Sequence, residues 1–212
     1  MSLDVEPNSR CLTLAKLILI RHGQSVWNAE NRFTGWIDVD LSEKGILEAE
    51  EAGQELRNQG INVVHTSDLI RAQRTAEIVI RANDSSNETV TKSDWRLNER
   101  NYGVLQGLNK AETAEKHGPE QVHIWRRSFD VAPPDGESLE MTAERTIPYF
   151  EEEILPDLEA GMDVLVSAHG NSLRSIVMHI EEISSEDIVS FEIPTGVPRY
   201  YEFIEGEIKL VD

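Results

Sequence analysis

Positive charge is in short supply in this sequence. Twenty Lys and Arg stand against 39 Asp and Glu, giving a formal net charge of −19 and a pI near 4.7. A chain of that sign repels phosphate backbones and anionic lipid, so neither nucleic acid nor a membrane surface is an expected partner. Cysteine is nearly absent. Cys11 alone excludes an internal disulfide framework and any paired-cysteine metal knuckle. No apolar run approaches the roughly 18 residues that a membrane span needs. The N-terminal stretch carries Asp4, Glu6 and Pro7 where a secretory signal would carry basic residues and a long apolar run, so a cytoplasmic protein is expected. What is present is core material: 39% of the 212 residues are hydrophobic, which excludes wholesale disorder. A single domain over 1–212 is expected, with 1–13 as a loose lead-in. Any anionic small-molecule substrate would need a local island of Arg and Lys inside this acidic field.

Short apolar runs alternate with amphipathic stretches. Lys16–Ile20, Ile61–His65, Thr89–Lys92 and Asp163–Ala168 read as strands, the first and last apolar enough to be buried on both faces. A helix is expected over Ser42–Gln59, with Ile46, Ala49, Gly53 and Leu56 inward and Gly60 as its stop. Another is expected over Asp68–Arg81, capped by Ser67, with Leu69, Ala72, Ala76, Val79 and Ile80 inward. A polar loop follows at 83–87. A long helix from Ser138 to Leu158, kinked at Pro148 and Pro156 and ended by Gly161, precedes a further one over Ser172–Ile180. Short helices at 110–117, 120–129 and 185–189, a turn at 133–136, and a closing hairpin of 200–204 with 207–211 complete the reading. Residues 95–137, the least regular part, are expected to cap a site. The pattern predicts an α/β fold: three layers, α/β/α, with a mostly parallel central sheet. Ligands in such sheets sit beyond the carboxyl ends of strands, near a switch in strand order. His22 and His169 both follow a strand and both precede a glycine.

In Arg21-His22-Gly23, the arginine supplies a fixed fork of donors suited to phosphate, and the histidine can act as nucleophile or base. Nearby arginines favour its neutral, nucleophilic form. Gly23 permits a sharp turn or close ligand approach. Taken alone, each candidate also has a plainer reading. A strand-end histidine is often structural, Glu99 beside Arg100 is a common surface ion pair, and Arg126-Arg127 is a common solvated face. His65, His117, His123 and His179 fit no pattern and are read as structural or exposed. Trp27, Trp36, Trp95 and Trp125 are read as packing residues.

Ordered blocks change this balance. Leu19–Asn28, Asn31–Trp36, Asp38–Gly45, Thr66-Ser67 with Arg71-Ala72, Leu97–Gly103, Leu105–Lys110, Trp125–Arg127, Ala168–Arg174 and Ile193–Pro198 together resemble the histidine phosphatase superfamily, and within it the cofactor-dependent phosphoglycerate mutases. The resemblance spans nearly the whole chain. It implies that His22 is the phosphorylated nucleophile. Arg21 and Arg71 hold the transferring group, His169 donates to it, and Glu99 exchanges the substrate's proton. Asn28, Thr34 and Gly35 are implied as contacts near the nucleophile, and Gly170 and Asn171 as contacts beside His169. Arg100, Tyr102, Lys110, Arg126 and Arg127 form an outer ring for the substrate's second anionic group. The implied reaction interconverts 3-phosphoglycerate and 2-phosphoglycerate in glycolysis and gluconeogenesis. Its phosphoryl primer is 2,3-bisphosphoglycerate, and no metal is called for.

A raised pKa would suit Glu99 for proton exchange. Gln24 replaces the acid many members carry there, which would remove a carboxylate from the pocket rim. Pro133-Pro134 runs straight into Asp135-Gly-Glu-Ser138 without the insert of longer members, so the resemblance is to the short form, as a monomer or weak dimer. The short stretch after Lys209 implies weak closure over the site and some side hydrolysis. The alternative function is a phosphatase on small phosphorylated metabolites, using the same histidine with water as acceptor. The outer ring argues against it, because that ring can hold a second anionic group and exclude bulk water. A non-catalytic binding protein is disfavoured, since every catalytic residue type is retained.

Overall fold

The computed structural model describes residues 14–84 and 89–211. The expected lead-in at 1–13, with Cys11, and most of the 83–87 loop lie outside them. In chain order the strands are β1 (Leu14–Arg21), β2 (Val63–Thr66), β3 (Val90–Ser93), β4 (Val164–Ala168), β5 (Pro198–Ile204) and β6 (Glu207–Leu210). The helices are α1 (Val26–Ala29), α2 (Glu43–Glu55), α3 (Ile70–Ala82), α4 (Lys110–His117), α5 (Pro119–Arg127), α6 (Leu139–Tyr149), α7 (Leu155–Glu159), α8 (Gly170–Ile180) and α9 (Ser185–Ile188).

One sheet runs in the order β3-β2-β4-β1-β5-β6. The first four strands are parallel, β5 is antiparallel to β1, and β6 is antiparallel to β5. Alternate side chains of β1 feed two cores. Leu17 and Leu19 pack with Phe150, Leu158, Leu173 and Ile176 on one face. Ile18 and Ile20 pack with Ala52 and Leu56 of α2 and Ala76 and Val79 of α3 on the other. Helices therefore cover both faces, which is why Leu17–Ile20 of β1 and Val164–Val166 of β4 are unbroken apolar runs. The fold is the expected three-layer α/β/α arrangement.

Several local expectations need correction. α2 ends at Glu55, well before Gly60, because the chain leaves helical geometry at Leu56: the Arg57 N–H turns back to the Gln54 carbonyl, three residues earlier instead of four. α3 starts at Ile70 with Leu69 at the cap position, and Ser67 lies outside it; the Ser67 hydroxyl accepts the Leu69 N–H at 3.2 Å and meets His169. α8 begins at Gly170, two residues earlier than expected, with the His169 backbone at its cap position. The long helix divides into α6, a π-turn at Phe150–Ile154, and α7. Prolines at 148 and 156 lack the N–H that a regular ladder requires.

Gly23 has a different purpose from either one expected. A Cβ there would lie 2.1 Å from the Gly45 carbonyl oxygen, and one on Gly45 would lie 2.0 Å from that of Gln24. The two glycines let the N-terminal turn of α2 press directly on the strand exit. Gln24 joins that contact. Its N–H donates to Glu48 at 2.7 Å and its side-chain oxygen accepts from Ser42 at 2.9 Å, so it is no part of the pocket rim.

Candidate active site

β1 and β4 are adjacent and parallel, and Arg21 and Ala168 at their ends are register partners. The chain leaves β1 toward α2 on one face and leaves β4 into α8 on the other, so a crevice opens between the two exits. The His22 N–H donates to the Ala168 carbonyl at 3.0 Å. This register sets the His22 and His169 imidazoles edge to face, with centroids 5.0 Å apart.

His22 Nδ1 lies 2.6 Å from the Gly23 carbonyl oxygen. A carbonyl only accepts, so Nδ1 carries the proton and Nε2 the lone pair. Burial, followed by the charges of Arg71 and Arg21, holds the His22 pKa well below the usual imidazole value. The ring is therefore neutral and nucleophilic at ordinary pH. His169 is shifted the same way by burial and by Arg71, His22 and Arg21. Its Nε2 is 2.7 Å from Ser67 Oγ.

Around these rings lies a polar cavity of about 120 Å³. Among the described residues, its lining carries the cations Arg21, Arg32, Arg71, Lys110, Arg126, Arg127 and Arg174 and the carboxylates Glu99 and Glu192. In a chain of charge −19, that is the island of positive charge an anionic substrate requires. Arg71 donates to the Gly35 and Ile37 carbonyls at 2.8 and 3.1 Å, and burial lowers its pKa to about 10. Arg21 donates to the Ile193 carbonyl at 2.9 Å. Among the described residues, the Nε atoms of both arginines and Thr34 Oγ1 are buried without a partner. Unsatisfied buried donors on this scale are costly unless something anionic accepts from them. A phosphoryl group fits that need. Asn28 commits its Oδ1 to the Ser25 N–H, so the amide NH₂ is the end it can offer a ligand.

Glu99 is buried, and its two oxygens are unequal. Oε1 accepts from the Arg100 N–H at 2.8 Å, the Asn171 N–H at 3.1 Å and Asn171 Nδ2 at 2.9 Å. Oε2 sits beside Gly170, where an added Cβ would come within 3.7 Å of it. The expected raised pKa is not found. Burial alone would raise it, but Arg21, the Arg100 and Asn171 hydrogen bonds and Arg71 together hold the carboxyl below its usual range. Glu99 is thus ionised in the free site.

The structure gathers Arg21, His22, Asn28, Thr34, Gly35, Arg71, Glu99, Tyr102, Lys110, Arg126, Arg127, Gly170 and Asn171 on the cavity wall. His169 stands behind His22, fully buried. Arg100 is fully buried just behind the wall, donating to the Tyr102 hydroxyl at 3.2 Å and the Arg126 carbonyl at 2.7 Å, while its Nε and Nη1 have no partner among the described residues. It supports the outer ring from behind. Arg174 takes a place on the wall that was not expected. Burial, then Arg127 and Arg100, lowers its pKa to about 10, and its Nε has no partner. It follows Asn171 by one helical turn of α8, within an already recognised block, and helical spacing was the available signal. Arg32 likewise lay inside a recognised block. Glu192, paired with Arg127 at the mouth, gave no signal in the sequence. Trp36 does more than pack, since its Nε1–H donates to the Glu99 carbonyl at 2.6 Å. His65 is structural, held at 2.8 Å by both Tyr149 and Asp157, while His117, His123 and His179 are exposed.

Fold and site together define a phosphoryl-transfer enzyme of the α/β class. The chain belongs to the histidine phosphatase superfamily (branch 1), whose model matches residues 17–212. It is 49% identical over 220 residues to a 2,3-bisphosphoglycerate-dependent phosphoglycerate mutase of Protochlamydia amoebophila, covering 92% of this chain and 97% of that one. It is 52% identical over 211 residues to the protein of the same name from Erythrobacter litoralis, covering 88% and 92%. Among solved structures, Bacillus stearothermophilus YhfR superposes with a TM-score of 0.80 at 27% identity, over 93% of this chain and 95% of the other. No helix among the described residues is long and apolar enough to cross a membrane.

Proposed function

We propose that this enzyme interconverts 3-phosphoglycerate and 2-phosphoglycerate through a phosphohistidine at His22, with 2,3-bisphosphoglycerate as primer and intermediate. The observation that carries the reading is the second ring of cations. Lys110, Arg126, Arg127 and Arg174 line the same cavity as His22, beyond what one phosphoryl group requires. A phosphatase needs only the inner cage, whereas a mutase must grip a carboxylate or second phosphate while the first moves. The relatives named above carry the matching name.

In this reading His22 Nε2 attacks phosphorus of the bisphosphate. The developing charge on the equatorial oxygens is met by Arg21, Arg71, Thr34 and His169. From phosphorylated His22, the group passes to the 2-hydroxyl of 3-phosphoglycerate, and Glu99 takes that proton. The bisphosphate reorients, His22 accepts the 3-phosphoryl group, and Glu99 returns the proton to the 3-oxygen. In both steps a phosphoryl group, on His22 or on the bisphosphate, lies among Arg21 and Arg71 and offsets their charge, easing the Glu99 pKa upward from its depressed position in the free site, as a group that must both take and return a proton requires. By the same reading the enzyme serves glycolysis and gluconeogenesis in the cytoplasm as a monomer or weak dimer, one domain whose residues 95–137 cap the site.

The test is a coupled assay of 3-phosphoglycerate turnover with and without catalytic 2,3-bisphosphoglycerate, beside a free-phosphate assay. Turnover that rises with the bisphosphate and releases little phosphate supports the mutase. Phosphate release outrunning isomerisation replaces it with a phosphatase.

A further inference from the structure

Glu99 has no regular secondary structure of its own. It lies in the stretch 98–102, between a 3₁₀ turn at Trp95–Leu97 and another at Gly103–Leu105. Such a segment fixes a reacting carboxylate only if its backbone is tied elsewhere. The tie comes from α6. Arg145 is 8% exposed and lies off the cavity wall. Its Nη1 donates to the Arg96 and Asn98 carbonyls at 2.8 and 3.0 Å, and its Nη2 donates to the Glu99 carbonyl at 3.0 Å. Its other edge forms a two-pronged pair with Glu137, Nε to Oε1 and Nη2 to Oε2, each at 2.9 Å. Glu137 Oε2 in turn accepts the Asn101 N–H at 2.8 Å. Trp36 adds a second donor to the Glu99 carbonyl, and the Trp36 and Trp95 rings lie 5.6 and 5.9 Å from the guanidinium.

One ion pair therefore holds backbone atoms on both sides of Glu99, from residue 96 to residue 101. We infer that Arg145, locked by Glu137, is a positioning residue that aims Glu99 at the substrate hydroxyl. The fork is essential to this role. Five donors in a rigid plane reach three carbonyls and a carboxylate at once, which an ammonium cannot do. The inference rests on the reading of Glu99 as the proton-exchange group.

The test compares esters with poor and good leaving groups. Phosphoryl transfer from or to an alkyl oxygen needs Glu99, whereas p-nitrophenol leaves without a proton. Arg145→Lys keeps the charge and loses the fork. It should lower kcat for 3-phosphoglycerate by roughly 10- to 100-fold, as expected for a reacting group displaced by about 1 Å. KM should stay within about twofold, and the burst of p-nitrophenol released as His22 is phosphorylated, before any acceptor proton moves, should change by less than about threefold. In a Glu99→Gln background the same substitution should cost nothing further. Glu137→Gln, which leaves the arginine in place, should reproduce the pattern more weakly and serves if Arg145→Lys does not fold. Equal loss on both esters, or a full additional loss in the Glu99→Gln background, overturns the inference in favour of a general structural role; unchanged kcat overturns it outright. If the wild-type enzyme hydrolyses phosphate esters without isomerising, the mutase reading fails. The contrast between glycerol 3-phosphate and p-nitrophenyl phosphate then still decides the part played by Arg145.

Discussion

The imidazoles of His22 and His169 meet edge to face at 5.0 Å, although 147 positions separate them in sequence. Among the described residues neither ring has a carboxylate partner; they contact the Gly23 carbonyl and the Ser67 hydroxyl. Both are therefore kept neutral by burial and by the arginines beside them. This is the electrostatic core of the site, and its consequences are measurable.

His22→Ala should abolish turnover together with acid-labile labelling of the protein by radiolabelled 2,3-bisphosphoglycerate. Full turnover in that variant would mean that the nucleophile lies elsewhere.

Glu99→Gln separates the proton step from the phosphoryl step. Mutase turnover should fall by about 10²- to 10⁴-fold, the usual worth of a positioned general acid–base. Burst labelling of His22 by p-nitrophenyl phosphate should persist. Loss of both would place Glu99 in the phosphoryl cage rather than on the hydroxyl.

Stability should fall as pH drops through 7 to 5. The folded pKa values of His22 and His169 lie below the unfolded value of about 6.5, so the unfolded chain binds more protons in that window. Each histidine contributes up to about 1.4 kcal/mol per pH unit to the slope. Glu99 acts in the same direction at lower pH, because its depressed pKa gives stability that is lost as the carboxylate is protonated. Thermal melts of wild type and His22→Asn across this range should show the flatter profile in the variant. Parallel profiles would contradict the assignment.

Glu192 holds Arg127 at the cavity mouth and carries the wrong charge for an anionic ligand. Glu192→Gln should free Arg127 and lower KM by up to roughly fivefold, the range of a partly exposed ion pair, with kcat unchanged. Arg127→Ala should raise KM more than it slows His22 labelling. A rise in KM on removing Glu192 would show that the pair orders Arg127 rather than competing for it.

How much of this was legible beforehand follows the range of the interactions involved. β1 and β4 declare themselves because their central residues, Leu17–Ile20 and Val164–Val166, are buried on both faces and uninterruptedly apolar. The cavity wall was legible through ordered blocks of residues. What escaped depends on contacts distant in sequence. Gly23 is glycine because of Gly45, not because of its own turn. Ser67 has the composition of a cap, but its hydroxyl also reaches His169, 102 residues away. Arg174 was given no role beforehand and lines the cavity, whereas Arg100 lies just behind it, since a sequence does not say how far an arginine side chain reaches. The direction of the Glu99 shift is a balance between burial and four opposing neighbours, and no spacing rule supplies that sum.

The strand order has one more consequence. β1 lies between β4 and β5, so both of its neighbours come from residues 164–168 and 198–204. While the ribosome is still making the first 160 or so residues, the nucleophile's strand has no partner to pair with. Long-range parallel pairing of this kind is slow and leaves apolar edges bare in the meantime. His22 and His169 therefore cannot meet before residues 164–169 have been made, so the chemistry of the site waits on a pairing across most of the described sequence.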